Sequence, residues 1–532
     1  MHKRFSLLSA LVLAGLSASC VDLKEELVSG ITDKYYLTPV GFDALINASY
    51  EPLRSFYGQE RGFTVTVFGT DEYTKGADGS NKYINDYDTQ LNGDAGYFRD
   101  SWTDFYRAIN TTNAAIGRAK NVNITDAARA GKVAEARYLR AFYYFHLIQM
   151  YGDVTLILDE TTAPSTIAKR DPKAKIYDAI IADLTYAAAN LPDVQKEFGR
   201  VTRPAVWFLL SKVYLTRAQS GDMALAATNA KLVINSGLFT LLPRYADVFD
   251  FKNQRNKEVV WSVQFTADPL TTGPGNSGHL YFLMEYDKEA GMTRDTKNGR
   301  PFKRFRPTNY LLGLWDRTKD GRYDDMFLNV FYSNNAGTIP KKPDGTPKFA
   351  VGDTALWLPG VEVSDAVRAA APYRIYTPKE YSNRIFPVLN KFLDGNRLTQ
   401  NDTRGSRDYM VFRYAEAYLI AAEALFRDGK SDEAVSFVNA VRRRAAKKGS
   451  ESAMEVGAGD LSIDFMLDER ARELTGESMR WFDLVRTGTL LDRVKKYNPE
   501  AAAFIKDYHV LRPIPNTQLD RTSGGYLQNP GY

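Results

Sequence analysis

Apolar residues recur at three- and four-residue steps along much of the chain, and the steps fall into successive helices. In "FRDSWTDFYRAINTTNAAIGRAK", Trp102, Phe105, Tyr106, Ile109, Asn113 and Ile116 share one helical face. "KVAEARYLRAFYYFHLIQMYGDV" repeats the pattern with Val133, Ala136, Leu139, Phe142, Phe145 and Ile148, and stops at Gly152. "KIYDAIIADLTYAAANLP" is closed by proline. "RPAVWFLLSKVYLTRAQSGDMALAATNAKLVINSG" reads as two helices joined at Ser220-Gly221-Asp222. "RYAEAYLIAAEALFRDGKSDEAVSFVNAVRRRA" has the same plan, turning at Asp428-Gly429-Lys430. Alanines at the contact positions and a glycine turn inside each pair resemble tetratricopeptide repeats. A pair cannot bury its apolar face alone, so stacking is what stabilises it. The predicted class is mainly α: tetratricopeptide-like helical pairs in an α-α superhelix, with a large irregular, loop-rich insert.

The irregular stretches lie where the helical period fails. Residues 69–100 are rich in Asp, Asn and Gly with interspersed tyrosines, and residues 267–407 are broken by Gly and Pro. Loops of this length in a compact protein are functional or disordered. The aromatic content, including Tyr281, Tyr286, Trp315 and Trp357, argues against disorder.

The first residues, "MHKRFSLLSALVLAGLSASC", have the layout of an export signal: Lys3 and Arg4, an apolar run to Leu16, then small residues up to Cys20. The run is shorter than the roughly 20 residues that cross a bilayer. Cys20 is the only cysteine, so no intramolecular disulfide can form, and its place at the processing site predicts acylation and a lipid anchor. The expected organisation is a lipoprotein signal over 1–19, an N-terminal region with helix pairs over 20–260, and a C-terminal region over 261–532 holding the insert and the last pair. Cleavage removes Lys3 and Arg4, so the net charge of +5 becomes +3, too small to argue for nucleic acid.

The chain holds little that resembles catalytic machinery. His146, His279 and His509 have no metal-ligand spacing, and no HExxH, GxSxG or GxxxxGK[ST] occurs. "DRTKDGRYDD" (316–325) lacks EF-hand spacing and reads as turns rather than a calcium loop. The one charge-dense stretch is "LDERARELTGESMRWFDLVRTG". There Asp468–Arg472, Glu469–Arg472, Arg470–Glu473, Arg480–Asp483 and Asp483–Arg486 stand at helical spacing. Glu469 and Glu473 could form a carboxylate pair, but a glycosidase acid needs surroundings that raise its pKa, and cations lower it. The charges read as structural, with no catalytic residue, no metal and no cofactor expected.

That same stretch resembles the C-terminal motif of the SusD/RagB family of outer-membrane nutrient-binding lipoproteins. "GFDALINASYEPLR", "EARYLRAFYYFHLIQMYGDV", "GRVTRPAVWFLLSKVYL", "RDYMVFRYAEAYLIAAEALFRDG" and "LRPIPNTQLDRTSGGYLQNPGY" match it in order along the chain. The resemblance implies a lipid-anchored, surface-exposed protein of the outer membrane. It also implies a partner, a SusC-like TonB-dependent transporter, to which an oligosaccharide, or in some members a peptide, is delivered. Glycan-binding members present aromatic residues on the segment after an Asp-Glu like Asp71-Glu72; here Tyr83 and Tyr87 stand there in place of tryptophans. The candidate ligand contacts are Asp71, Tyr83, Tyr87, Tyr281 and Tyr286, with the region around Trp315 and Trp357 as the alternative. A repeat scaffold with protein partners only would explain the helices but give the aromatic loops no purpose.

Overall fold

The computed structural model describes residues 33–532; the signal and the Cys20 anchor lie outside them. The helical stack is built from α1 (Pro39–Tyr50), α2 (Glu60–Thr66), α3 (Gly96–Arg118), α4 (Asp126–Tyr151), α5 (Lys173–Asn190), α6 (Arg203–Arg217) and α7 (Asp222–Ile234). It is completed by α8 (Tyr414–Arg427) and α9 (Ser431–Ala445). Each helix from α3 to α9 packs on the next, so the late pair continues the early stack. The junction is tied by Tyr414, whose hydroxyl donates to the Ile234 carbonyl at 2.8 Å, and by Lys231–Glu433 at 2.8 Å.

Local signals set the helix ends. The Thr125 hydroxyl accepts from the Ala128 amide at the start of α4, and Pro204 occupies the first turn of α6. The α6–α7 turn needs Gly221 at φ +82°, a conformation that costs a residue with a Cβ. The periodicity predicts one buried stripe on α4, yet the helix is buried nearly all round from Val133 on. Helices α3 and α5 cover two sides; Tyr57, Trp261 and Phe412 close the third against Phe142.

The insert is ordered by short ladders. The strands are β1 (Tyr73–Lys75), β2 (Val259–Val263), β3 (Phe305–Pro307), β4 (Phe327–Leu328), β5 (Val330–Tyr332), β6 (Thr354–Trp357), β7 (Arg374–Ile375), β8 (Val388–Leu389) and β9 (Tyr409–Arg413). They pair as β1–β3, β2–β9, β4–β8 and β5–β6–β7. Around them Leu283, Met284, Tyr286, Phe331, Leu356 and Phe386 form a second small core. Irregular sequence here is packed structure.

After α9 come α10 (Ile463–Leu474), α11 (Arg480–Arg486) and α12 (Leu490–Tyr497), which carry the charge-dense stretch into the interior. Among the described residues no helix is long and apolar enough to cross a membrane.

Candidate functional site

The carboxylates of α10 and α11 are locked in a buried network. Glu473 faces the guanidinium groups of Arg322, Arg413 and Arg444, and Glu469 those of Arg322, Arg442 and Arg472. Burial alone would raise both carboxyls, but the surrounding arginines outweigh it and hold them below the usual range. They cannot hold a proton at neutral pH for a glycosidic oxygen. Of the helical pairs expected from spacing, Glu469–Arg472 and Asp483–Arg486 form. The others are replaced by distant partners: Asp468 meets Arg493, Arg470 meets Glu416 and Asp483, and Arg480 meets Asp71. Tertiary packing, rather than helix periodicity, chooses the partners.

Glu72 is the exception within this hub. Burial pushes its carboxyl up to about 7; Arg480, 3.4 Å away, opposes this, and the neighbouring charge of Asp71 adds to it. The cause is geometric, because Arg480 presents its fork to Asp71, with contacts of 2.7 and 2.6 Å. A carboxyl raised in the folded state supports folding fully below its ordinary 4.5, and that support is lost as pH rises through about 7. Glu72→Gln should therefore flatten the fall in stability between about pH 5 and 8, read by urea denaturation across that range. Identical pH slopes in the two proteins would refute the assignment.

The three histidines of the described residues are buried, and each bonds a protein group. His146 lies between Tyr57 (Nε2 to hydroxyl, 3.1 Å) and the Phe142 carbonyl (Nδ1, 3.0 Å), and burial lowers it to about 4. His279 bonds the Thr403 carbonyl, and His509 accepts from the Lys506 amide. The acids of 316–325 are held by protein groups: Asp320 by Arg322, Asp324 by Arg317 and Lys447, and Asp325 by the Ala246 amide. Among the described residues no cluster of His, Cys, Asp and Glu is arranged to hold a metal.

The five candidate contacts divide sharply. Asp71 is wholly buried, between Arg480 and Arg493. Tyr87, 2% exposed, donates to the Gly69 carbonyl at 2.8 Å and packs on His509. Tyr286, at 0%, donates to the Gly299 carbonyl and stacks on Phe331 in the second core. These three are corrected to framework residues: each has its polar atom satisfied inside and no face for a ligand. Tyr281 is buried, and Tyr83 is half-buried against the main core. Trp315 is also interior, against Tyr323 and Phe327.

Tyr83 and Tyr281 belong to one patch because the β1–β3 ladder draws the two irregular stretches together. Lys75 pairs with Phe305, and beyond the ladder the Gly76 amide donates to the Arg304 carbonyl at 3.0 Å. Gly76 passes so close to Lys303 that a Cβ there would strike its carbonyl oxygen. The patch adds two rings that the sequence reading missed, Tyr97 and Phe302. Tyr97, at the first turn of α3, is pushed up to about 12 by burial and by the charge of Glu60, with Arg304, Tyr83 and Arg61 also near. Tyr281 lies edge-on beneath Phe302, centroids 6.2 Å apart. The Phe302 ring has two guanidinium carbons against it, Arg304 at 5.0 Å and Arg300 at 5.2 Å. Glu60 fixes Arg304 at 2.9 Å. Tyr97 could have been suspected, since it falls outside the stripe of Phe98, Trp102, Phe105 and Ile109 on its helix. The result is a shelf of half-buried rings edged by Arg and Glu. Sugar C–H faces pack on such rings while hydroxyls meet the charged groups.

A model of the SusD family matches residues 257–532, just over half of the chain. The chain belongs to the SusD/RagB family. A second family model, described as starch-binding and associating with the outer membrane, matches residues 32–215. SusD-like protein P2 of Formosa agariphila is 28% identical over 98% of each chain. The starch-binding protein SusD of Bacteroides thetaiotaomicron is 24% identical over 77% of this chain and 74% of its own. Among solved structures, a laminarin-binding SusD-like protein superposes with a TM-score of 0.70 at 23% identity, over 93% of this chain and 100% of the other. That likeness establishes the SusD-like helical fold. SusD-family proteins are binding proteins of the outer membrane, not enzymes, and the family pairs them with a SusC-like transporter.

Proposed function

We propose that this SusD-family protein captures an oligosaccharide on the shelf of Tyr83, Tyr97 and Phe302, supported from beneath by Tyr281, and passes it to a SusC-like TonB-dependent transporter. The observation that supports this reading is the β1–β3 ladder, which brings two aromatic-bearing loop stretches distant in sequence side by side. The names of relatives that bind starch and laminarin support the ligand class. Capture is weak by design, since cargo must be released; a micromolar site is about 8 kcal/mol deep. The test is a panel of glycans and peptides titrated against the soluble protein beginning after Cys20. Binding of an oligosaccharide without cleavage is expected. Product formation abolished by Glu469→Gln or Glu473→Gln would overturn the reading.

The lipid on Cys20 would hold the protein at the outer face of the outer membrane, with Asp22, Glu25 and Glu26 as the acidic residues that follow an exported anchor. Cys20→Ala should release the protein from membranes or trap an unprocessed form, seen by fractionation and gel mobility. Wild-type behaviour in both assays would defeat the anchor.

A further inference from the structure

Beside the aromatic shelf the chain gathers positive charge that it does not neutralise. Several cations there have a carboxylate: Lys303 meets Asp78 and Glu285, Arg304 meets Glu60, and Arg294 meets Asp287. Arg300, Arg397 and Arg404 differ, since among the described residues none of the three forms an ion pair. Arg300 Nη1 donates to the Asn401 carbonyl at 2.9 Å. Arg397 donates only to carbonyls, those of Asp394 at 2.8 Å, Thr296 at 2.9 Å and Asp402 at 3.3 Å. Arg404 is exposed, and among the described residues its guanidinium has no hydrogen-bond partner.

Arg397 and Arg404 line one small cleft, of about 80 Å³, together with Thr266, Thr272, Asn396 and Ser406. A water molecule occupies about 30 Å³, so the cleft has room for a carboxylate or sulfate group. Both arginines are held in place. Arg397 is 7% exposed and fixed by its three carbonyls, while Gly275, at φ +65°, lies so close to Arg404 that a Cβ would stand 2.6 Å from Arg404 Cβ. Carbonyl dipoles solvate a buried guanidinium but leave its charge standing, which is costly without a counter-ion. Burial accordingly pushes Arg397 below its ordinary value, against the pull of Asp394, Tyr286, Asp402 and Asp295. The nearby His279 is lowered to about 3 by burial and by the charges of Arg397 and Arg407. Asp402 is the carboxylate on the cleft wall, and its Oδ2 accepts from the Thr399 amide. Asp268, on the adjoining loop, is turned to the Leu270 amide and the Thr271 hydroxyl.

We propose that this cleft receives an anionic substituent of the captured saccharide, so that the cargo is an acidic oligosaccharide bearing carboxylate or sulfate-ester groups. The inference rests on capture by the aromatic shelf. Two hydrogen bonds place the cleft beside that shelf: Arg397 to Thr296 and Arg300 to Asn401 tie the segment of Arg404 to the segment of Phe302. Arg300 serves both sides, because its guanidinium carbon also lies 5.2 Å from the Phe302 ring. It can meet a second anionic group along the same sugar chain. Guanidinium forks suit oxyanions, which take two parallel N–H bonds from one side chain. A neutral sugar would leave all three charges unanswered.

The probes are an array of oligosaccharides in matched pairs: uronate-bearing members with their methyl esters, and sulfated galactans and glucans with their desulfated forms. The array is read with the protein beginning after Cys20, at about 20 mM and about 500 mM NaCl, which spans weak to strong screening. At least one acidic member should bind about tenfold or more tightly than its neutral partner and lose most of that margin at high salt. Whether the uronates or the sulfates bind identifies the anion. Arg404→Glu, an exposed change checked by thermal melting, should weaken acidic binding at least about tenfold. Arg300→Gln should weaken it less, and neither should alter binding of the neutral partner. Neutral members bound as tightly as acidic ones, or acidic binding indifferent to Arg404→Glu, would overturn the proposal and leave the shelf standing. Acidic binding that falls in Arg404→Glu but survives Tyr83→Ala/Phe302→Ala would keep the cleft and remove the shelf. No binding by any member would overturn both.

Discussion

Arg480→Ala is expected to cost about 3–5 kcal/mol of stability while leaving ligand affinity per folded molecule unchanged. In the native protein its guanidinium grips both oxygens of Asp71, at 2.7 and 2.6 Å, and donates to the Leu467 carbonyl at 2.7 Å. Truncation leaves Asp71 with Arg493 alone, and Glu72 without its nearest cation. Two buried carboxylates then share too little positive charge, and neither can reach water. Asp71→Ala should be comparably damaging for the opposite reason, since Arg480 and Arg493 would face each other across an empty site. The loss comes from stranding one partner; the intact pair itself adds little over well-packed apolar residues. Chemical denaturation gives the stability and glycan titration the affinity. An Arg480→Ala protein with full stability and lost binding would return this stretch to the list of functional sites.

The helices were legible because burial on one face leaves a period in the sequence. α3, α4 and the pairs α6–α7 and α8–α9 are marked by apolar spacing and by glycine turns such as Gly221 and Gly429. The structural character of the charges was legible for the same reason: carboxylates and guanidiniums crowd together near Trp481 and Phe482. Their partners were not. Asp71 and Arg480 are separated by 409 residues, and nothing local in either segment announces the other.

The site was half legible. Composition located both irregular stretches, but an irregular backbone has no fixed period, so it cannot say which tyrosine turns inward. Tyr83 and Tyr87 stand four residues apart, yet Tyr87 takes φ +53° and turns its ring into the core while Tyr83 remains half-buried. Tyr286 was chosen as a loop residue, but the insert builds its own core around it. Phe302 carried no signal, because its value comes from Arg300 and Arg304 flanking it in an irregular segment and from Tyr281 packed edge-on to it.

The shelf yields the second large effect. A Tyr83→Ala/Phe302→Ala protein should bind its oligosaccharide tenfold to a hundredfold more weakly, since each ring face contributes roughly 1 kcal/mol or more and about 1.4 kcal/mol is a factor of ten. The fold should survive, because both rings are only half-buried at the rim of the main core. Tyr286→Ala is the matched control: it removes a buried ring from the second core and should lower stability by about 3–5 kcal/mol without changing affinity. Tyr83→Phe separates the two ways a tyrosine can serve. The Tyr83 hydroxyl donates to Asn81 Oδ1 at 3.2 Å, so losing it should matter little if the ring face alone holds the sugar. A tenfold loss in Tyr83→Phe would instead make the hydroxyl a direct contact. Unchanged affinity in the double alanine protein, with Tyr97→Ala also silent, would move glycan capture off this shelf.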